Sequence, residues 1–306
     1  MMRIPLSRLR LDPDLLESLG LVRARMALNT EDGAAATMQW SDGGPLLASV
    51  VRSMWSLVGS AEEAALPGII APDTHVEFVF HLGEQWLAQR ISHPGWAMQP
   101  AAFVYAASRG GLQFQPTGPV CLLAFRVSPV VATRILRQSL ADLWDVPVAL
   151  DALIGTEASN LIASLRSSPD EERFAVLRQW IVKRLRGWGA DDWNSQRLFN
   201  TLLWRSRSGS IARVSRTLGP SQRSLRRILG ERAGLSPKAV QLSGRMLGAC
   251  ALLREAPSLE ITEIASRVGF YDHAAFTHAF TSRIGLTPTQ FRAEPIVLYE
   301  REHALP

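Results

Sequence analysis

The chain has 306 residues, of which 47% are hydrophobic and 20% are charged. This balance excludes an intrinsically disordered protein, and the length suffices for two domains that each have a hydrophobic core. No apolar run is as long as a membrane span and the first residues lack a signal-peptide core, so we expect a cytoplasmic protein without membrane contact. The formal net charge of +5 is uneven, because residues 205–292 hold 14 basic and 5 acidic side chains, whereas residues 1–204 hold 18 and 20. A basic segment of this kind indicates a polyanionic partner, most often nucleic acid.

The N-terminal part is predicted to be mainly β-structure, after a short helix near 13–19. Short apolar runs alternate with turn residues such as Gly, Pro and Asp. These runs cover 21–29, 50–59, 75–83, 85–91, 102–108, 112–118 and 120–127. Strands of this length and spacing predict an antiparallel barrel or sandwich.

From Pro129 onwards the hydrophobic period becomes helical. Helices are predicted near 129–142, 150–166, 171–186 and 192–204. The third of them has an apolar stripe that is either core or a self-association seam, formed by Phe174, Leu177, Ile181 and Leu185. The Gly- and Asp-rich segment 187–195 predicts a domain boundary.

A helix, a tight turn and a basic helix follow between residues 206 and 234. Gly219 ends the first helix, and Ser221 stands where an N-cap belongs, since its hydroxyl can accept from the free amides of the next helical turn. Leu225, Ile228 and Leu229 then repeat at helical spacing and form the inner face. The opposite face carries Arg223, Arg226, Arg227 and Gly230.

The same pattern recurs between residues 258 and 284. Gly269 ends the first helix, Asp272 takes the N-cap position, and Phe276 and Phe280 are the predicted core pair. The matched outward positions are Ala274, Thr277, His278 and Thr281. A helix over 237–254, about 27 Å long, joins the two pairs and could set the second helices of the two pairs about one duplex turn apart.

The stretch from about 205 to 292 resembles the DNA-binding domain of AraC/XylS-type transcriptional regulators, above all in "IASRVGFYDHAAFTHAFTSRIGLTPTQFR". The resemblance implies two helix-turn-helix units whose second helices enter adjacent major grooves of double-stranded DNA. Carried over by position, the candidates for DNA contact are Ser221, Gln222, Arg223, Arg226, Arg227, His273, Ala274, Thr277, His278 and Thr281. It further implies a homodimer and contact with RNA polymerase.

The N-terminal part is similar to the cupin-like sensor half of some of these regulators, in "APDTHVEFVFHLGE" and "PTGPVCLLAFRVSP". The expected fold class is therefore α+β, with an N-terminal cupin-like antiparallel β-barrel and flanking helices, followed by an all-α domain with two helix-turn-helix units. We place the sensor and dimerisation domain at 1–190, with its helical segment at 129–186, and the DNA-binding domain at 191–306.

A small-molecule effector is expected in the N-terminal domain, because aromatic residues could wall a pocket there. The candidate ligand contacts are His75, Glu77, Phe80, Trp86 and Trp96. Although His75, Glu77 and His81 alternate on one strand face, the histidine spacing of metal cupins is absent, so we expect no metal and no cofactor.

Three classes of function remain open at this point. The first is a regulator that responds to a small molecule, and it is the one the sequence favours. The second is a cupin-type metal-dependent enzyme fused to a DNA-binding module, and the third is a regulator controlled by a partner protein. A DNA-repair alkyl acceptor is excluded, because that chemistry needs a cluster of thiols and the chain has only Cys121 and Cys250.

Overall fold

The computed structural model has a mixed α+β architecture, with antiparallel sheets in the N-terminal part and helices in the C-terminal part. The residues that it describes are 25–29, 35–41, 47, 49–61, 69–70, 74–91, 93–107, 110–205, 211–293 and 296–297. The helix expected near 13–19 lies outside them. The α+β prediction is confirmed.

Twelve strands occur in the described part of the chain. They are β1 Arg25–Asn29, β2 Ala35–Ser41, β3 Val51–Gly59, β4 Ile69–Ile70, β5 Val76–His81, β6 Trp86–Arg90, β7 His93–Met98, β8 Ala102–Ala106, β9 Leu112–Pro116, β10 Val120–Val127, β11 Val148–Ala149 and β12 Ile296–Val297. Sheet A has the order β1-β2-β3-β10-β5-β8-β11, and sheet B has the order β12-β4-β9-β6-β7. All these pairings are antiparallel except that of β12 with β4.

The helices of the described residues form two groups. The first group is α1 Pro129–Leu136, α2 Leu150–Ile154, α3 Thr156–Ser167, α4 Asp170–Arg184 and α5 Ala190–Asn200, which continues as a π-helical turn at Thr201–Arg205. The second group is α6 Ile211–Leu218, α7 Gln222–Ala233, α8 Pro237–Glu255, α9 Ile261–Arg267, α10 His273–Ile284 and α11 Pro288–Ala293. Within the described residues no helix is both long and apolar enough to cross a membrane.

The strands β3, β5, β8 and β10 of sheet A contribute buried side chains on both faces of the sheet. One face packs against sheet B, and the other packs against α1, α3 and α4 around Phe78 and Phe125, whose rings stack with centroids 4.4 Å apart. Leu177 and Ile181 of α4 are fully buried in the same cluster. The apolar stripe of α4 is therefore core rather than a self-association seam.

The two helix-turn-helix patterns correspond to a first helix pair, α6 and α7, and a second helix pair, α9 and α10. A separate apolar cluster joins the N-terminal part to the first helix pair. It includes Val130 of α1, Phe199 of α5, Leu203 of the π-helical turn, Leu229 of α7 and Val240 of α8. These residues come from both halves of the chain. α6 and α7 therefore pack into a common hydrophobic core with the N-terminal part.

The two helix pairs are bounded by the capping residues that the sequence predicts. Ser221 Oγ accepts from the Ser224 amide at 3.1 Å at the start of α7. At the start of α10, Asp272 accepts from the amides of Ala274 and Ala275 at 3.0 and 3.1 Å. The four glycines that end α6, α7, α9 and α10 all have positive φ, where glycine is favoured; they are Gly219, Gly234, Gly269 and Gly285.

Candidate nucleic-acid interface and inter-sheet cavity

The outer face of α7 is a row of exposed guanidinium groups. Arg223, Arg226 and Arg227 are all exposed, while Leu225 and Leu229 on the other side are fully buried. The buried leucines fix the rotation of the helix, so the arginines point away from the core. The row lies where a phosphate backbone or base edges could approach it.

The charges on this face are only slightly compensated. Glu231 pairs with Arg227, whose Nη1 lies 3.0 Å from its Oε2, but both side chains are more than half exposed. An exposed pair of this kind contributes little to stability and yields readily to another anion. Ser221 and Gln222, at the start of the helix, are also exposed.

The outer face of α10 is smaller and carries less charge. His273, Ala274 and His278 are exposed, as the sequence predicts for a DNA-facing helix. Thr277 and Thr281 are half-buried, and their hydroxyl oxygens are buried without a hydrogen-bond partner among the described residues. The accessible part of this face is therefore formed by His273, Ala274 and His278.

Sequence reasoning missed several exposed residues of this second unit. Tyr271, in the turn before α10, is fully exposed, and Ala275 and Ser282 are exposed on the helix itself. Ala275, His278 and Ser282 repeat at helical spacing, so counting from the buried Phe276 would have found the two missed helix positions.

A cavity of about 270 Å³ lies between sheets A and B. Its aromatic walls come from β3, β6, β8 and β9, and its polar lining includes one carboxylate and one guanidinium group. The aromatic residues are Trp55, Trp86, Phe103, Tyr105 and Phe114, and the charged residues are Glu77 and Arg90. Such a cavity suits a small, mostly apolar molecule with a few polar groups.

Several polar groups around the cavity are hydrogen-bond donors. Trp86 is 3% exposed, and its buried Nε1 has no hydrogen-bond partner in the described part of the chain. Burial raises the pKa of Tyr105, although nearby Arg90 opposes this shift, so the phenol keeps its proton. Glu77 Oε1 accepts from Trp55 Nε1 at 3.0 Å, which occupies one of the carboxylate oxygens.

His81 lies behind the cavity wall, with its ring centroid 5.9 Å from those of Trp86 and Phe103. Burial lowers the pKa of His81 to about 4, although the hydrogen bond with Gln99 opposes this shift. His81 is therefore neutral at pH 7, and its Nε2, 3.1 Å from Gln99 Oε1, is the donor in that bond. This pair closes the cavity wall rather than forming a metal site.

The five candidate ligand residues are not brought together. Glu77 and Trp86 line the cavity. His75 packs against Phe199 and Trp204, with ring centroids 6.3 and 6.4 Å apart, between the sheets and the helical part. Phe80 points to the opposite side of sheet A, into the core with Phe125. Trp96 is 44% exposed on β7, whose neighbouring residues line the cavity instead.

The cysteines and the acidic side chains of the described residues form no further site. Burial raises the pKa values of Cys121 and Cys250, so both thiols stay protonated. Among the residues with described positions, no group of three or more His, Cys, Asp or Glu side chains could hold a metal ion.

The C-terminal helices match a known domain family. The model of a helix-turn-helix domain matches residues 214–294, which include α7, α8, α9 and α10. The Msm operon regulatory protein of Streptococcus mutans is 39% identical over 92 residues, which cover 29% of this chain and 33% of that protein. The matched region therefore spans about a third of the length of that relative.

Two solved structures are also similar. ToxT from Vibrio cholerae is 13% identical and covers 74% of this chain and 91% of its own, with a TM-score of 0.39. The C-terminal domain of AraT, a response regulator from Geobacillus stearothermophilus, is 26% identical and covers 37% of this chain and 93% of its own, with a TM-score of 0.30.

Proposed function

We propose that the chain is a sequence-specific, DNA-binding transcriptional regulator of the AraC type, because residues 214–294 match a helix-turn-helix domain. The observation that carries the proposal is the row of exposed arginines on α7, at Arg223, Arg226 and Arg227. An arginine can bind a guanine edge through two parallel hydrogen bonds, and a helix fits the major groove. α10 takes the corresponding place in the second unit.

The two units contribute differently to DNA recognition. α7, with its three exposed arginines, reads base edges, and each bidentate contact contributes roughly 1–3 kcal/mol of discrimination. α10 offers His273, Ala274 and His278, which suit phosphate contacts and thymine methyl groups better than guanine. Thr277 and Thr281 would need to rotate their buried hydroxyl groups to take part.

Replacing Arg226 with alanine tests this division. We expect the preference for one base pair in the site to fall by about 10- to 100-fold, because a bidentate contact is lost. The measurement is selection from a random DNA library, followed by competition between the selected and the altered site at fixed salt. Arg197→Ala is the charge-matched control, since Arg197 is exposed on α5 outside the matched domain. An unaltered selected sequence for Arg226→Ala would remove this residue from base readout.

We further propose that a small-molecule effector binds in the inter-sheet cavity, with Glu77 and Trp86 among its contacts. The aromatic walls favour a planar apolar body, and the donors on Trp86, Tyr105 and Arg90 favour acceptor groups on the ligand. Ligand binding can change DNA binding only through its different affinity for two arrangements of the protein. A homodimer and contact with RNA polymerase remain predictions of the family resemblance, and we propose no enzymatic activity.

A ligand screen monitored by tryptophan fluorescence tests the cavity. We expect some small apolar compounds with acceptor groups to quench the fluorescence saturably and to raise Tm, since a ligand that binds only the folded state stabilises it by about 2.7 kcal/mol at one hundred times its Kd. Trp86→Phe should reduce the quenching, whereas Trp193→Phe, at an exposed position on α5, should not. Equal quenching in both variants would place the ligand elsewhere.

A further inference from the structure

The residues that line one end of the cavity are next in sequence to residues that contact the second helix pair. Arg90 on β6 and Leu112 on β9 face each other in register, and both line the cavity. The next residues outward are Ile91 and Gly111, and the Ile91 amide donates to the Gly111 carbonyl oxygen at 3.0 Å. The end of the cavity wall is thus one rung of sheet B away from these two residues.

The C-terminus of α10 is capped by this end of sheet B. The Gly110 amide donates to the Arg283 carbonyl oxygen at 2.6 Å, and the Gly111 amide donates to that of Ile284 at 2.9 Å. The last carbonyl groups of a helix have no donors within the helix, so these bonds satisfy them. We call Ile91, Gly110 and Gly111 the α10 cap.

Apolar packing reinforces the cap. Ile91 packs against the core of the second helix pair, which contains Phe276 and Phe280. A Cβ atom placed on Gly285, the C-cap residue of α10, would lie 3.4 Å from Ile91 Cβ. β12, which follows α11, also joins sheet B by pairing with β4. The second helix pair is therefore held by sheet B.

α7 is held at a different place. Arg232 Nη1 lies 3.0 Å from Asp192 Oδ1 of α5, and a Cβ atom on Gly234 would lie 2.9 Å from the Ala141 amide nitrogen. None of these four residues is among those that line the cavity. The two DNA-facing helices thus rest on separate parts of the N-terminal half. The support of α10 is the rung of sheet B next to the cavity wall, whereas Gly234 at the end of α7 lies against Ala141 and Trp144, which precede the cavity-lining Pro147 in the chain.

We propose that an occupant of the cavity acts on DNA recognition through the α10 cap, by moving α10 while α7 stays in place; this rests on the proposed function. Because the interior is close-packed, a ligand that displaces the Arg90–Leu112 rung displaces the adjoining rung and the helix end bonded to it. The effector therefore changes the fit to the second half of the DNA site and leaves the first half bound as before.

A cavity-filling substitution tests the proposal without a known ligand. Ala88 lines the cavity on β6, and Ala88→Phe places a ring where an effector would bind. We expect footprint protection of the half-site read by α10 to change by at least about fivefold, the lower end of typical allosteric coupling, with the half-site read by α7 unchanged. Ala152→Phe, at an exposed position on α2, is the matched control. Equal changes in both half-sites, or in neither, would overturn the proposal.

A second pair of variants addresses the cap itself, in case Ala88→Phe does not fold. Ile91→Ala should speed amide hydrogen exchange at Gly110 and Gly111 by at least about fivefold and reduce protection of the second half-site, whereas Ile91→Val should do neither. Unchanged exchange in a folded Ile91→Ala protein would overturn the proposal. The exchange readout needs no DNA, so failure of the wild type to bind any preferred sequence would count against the proposed function alone.

Discussion

Replacing Gly244 with alanine is expected to destabilise the protein by about 3 kcal/mol or more, although alanine is normally the better helix residue. Gly244 is buried on α8, where the backbone of the π-helical turn crosses it. A Cβ atom there would lie 1.8 Å from the Leu203 carbonyl oxygen and 2.8 Å from its carbonyl carbon. Because the obstacle is backbone, α8 and the turn must move apart. Urea denaturation monitored by circular dichroism measures the loss.

Gly230→Ala is the matched control for this substitution. Gly230 is an exposed helical glycine on α7, and a Cβ atom there would meet nothing within 4 Å. We expect it to raise the free energy of unfolding by about 0.5–1 kcal/mol, since alanine has less backbone freedom to lose. If Gly244→Ala were as stable as Gly230→Ala, the close crossing of α8 and the turn would be refuted.

Phe280→Ala is expected to lower the free energy of unfolding by about 3–5 kcal/mol, the usual cost of deleting a buried aromatic ring. Phe280 is fully buried between two other rings, with centroids 5.7 Å from that of Phe276 and 5.3 Å from that of Phe291. Its loss leaves a cavity that α10 and α11 share. Thermal unfolding gives the shift in Tm.

His278→Ala is the control on the same helix, two residues away. His278 is exposed, so its removal should change stability by no more than about 0.5 kcal/mol. It should instead weaken binding to the selected DNA site, because it lies on the face proposed to meet the groove. A stable, fully DNA-binding Phe280→Ala protein would contradict the assignment of the two faces of α10.

The helical C-terminal part was the easiest to predict, because its signals are local. Gly219, Ser221, Gly269 and Asp272 stand at the helix ends that their chemistry indicates. The spacer helix, predicted over 237–254, is found at Pro237–Glu255. Caps and stops depend on a few neighbouring residues, so one sequence suffices to find them.

Helix ends without such signals were harder to find. The helix predicted near 129–142 ends at Leu136, because Arg137 adopts a positive φ of 59°. The single helix predicted over 150–166 is two helices, since the chain breaks at Gly155. β7 was missed because it begins His93-Pro94-Gly95, a run that favours a turn over a strand.

The two candidate sites also differ in how well the sequence predicts them, because one depends on local spacing and the other on long-range packing. The arginine face of α7 follows from the 100° rotation per residue once Leu225 and Leu229 are taken as core. The cavity depends on which strands of sheets A and B face each other, and a list of aromatic residues does not contain that information. His75 illustrates this, because its place against Phe199 and Trp204 results from contacts over more than 120 residues of sequence.

The most direct test of the account is methylation interference on a DNA site selected by the wild-type protein. If α7 and α10 enter successive major grooves, a methyl group on guanine N7 obstructs the helix in either groove, even where α10 makes no contact with guanine. Interference should therefore fall in two clusters on one face of the duplex, about 10–10.5 base pairs apart. The cluster assigned to α7 should disappear with Arg226→Ala. A single cluster, or no sequence preferred over random competitor, would contradict the central claim that two helices of one chain read the DNA together.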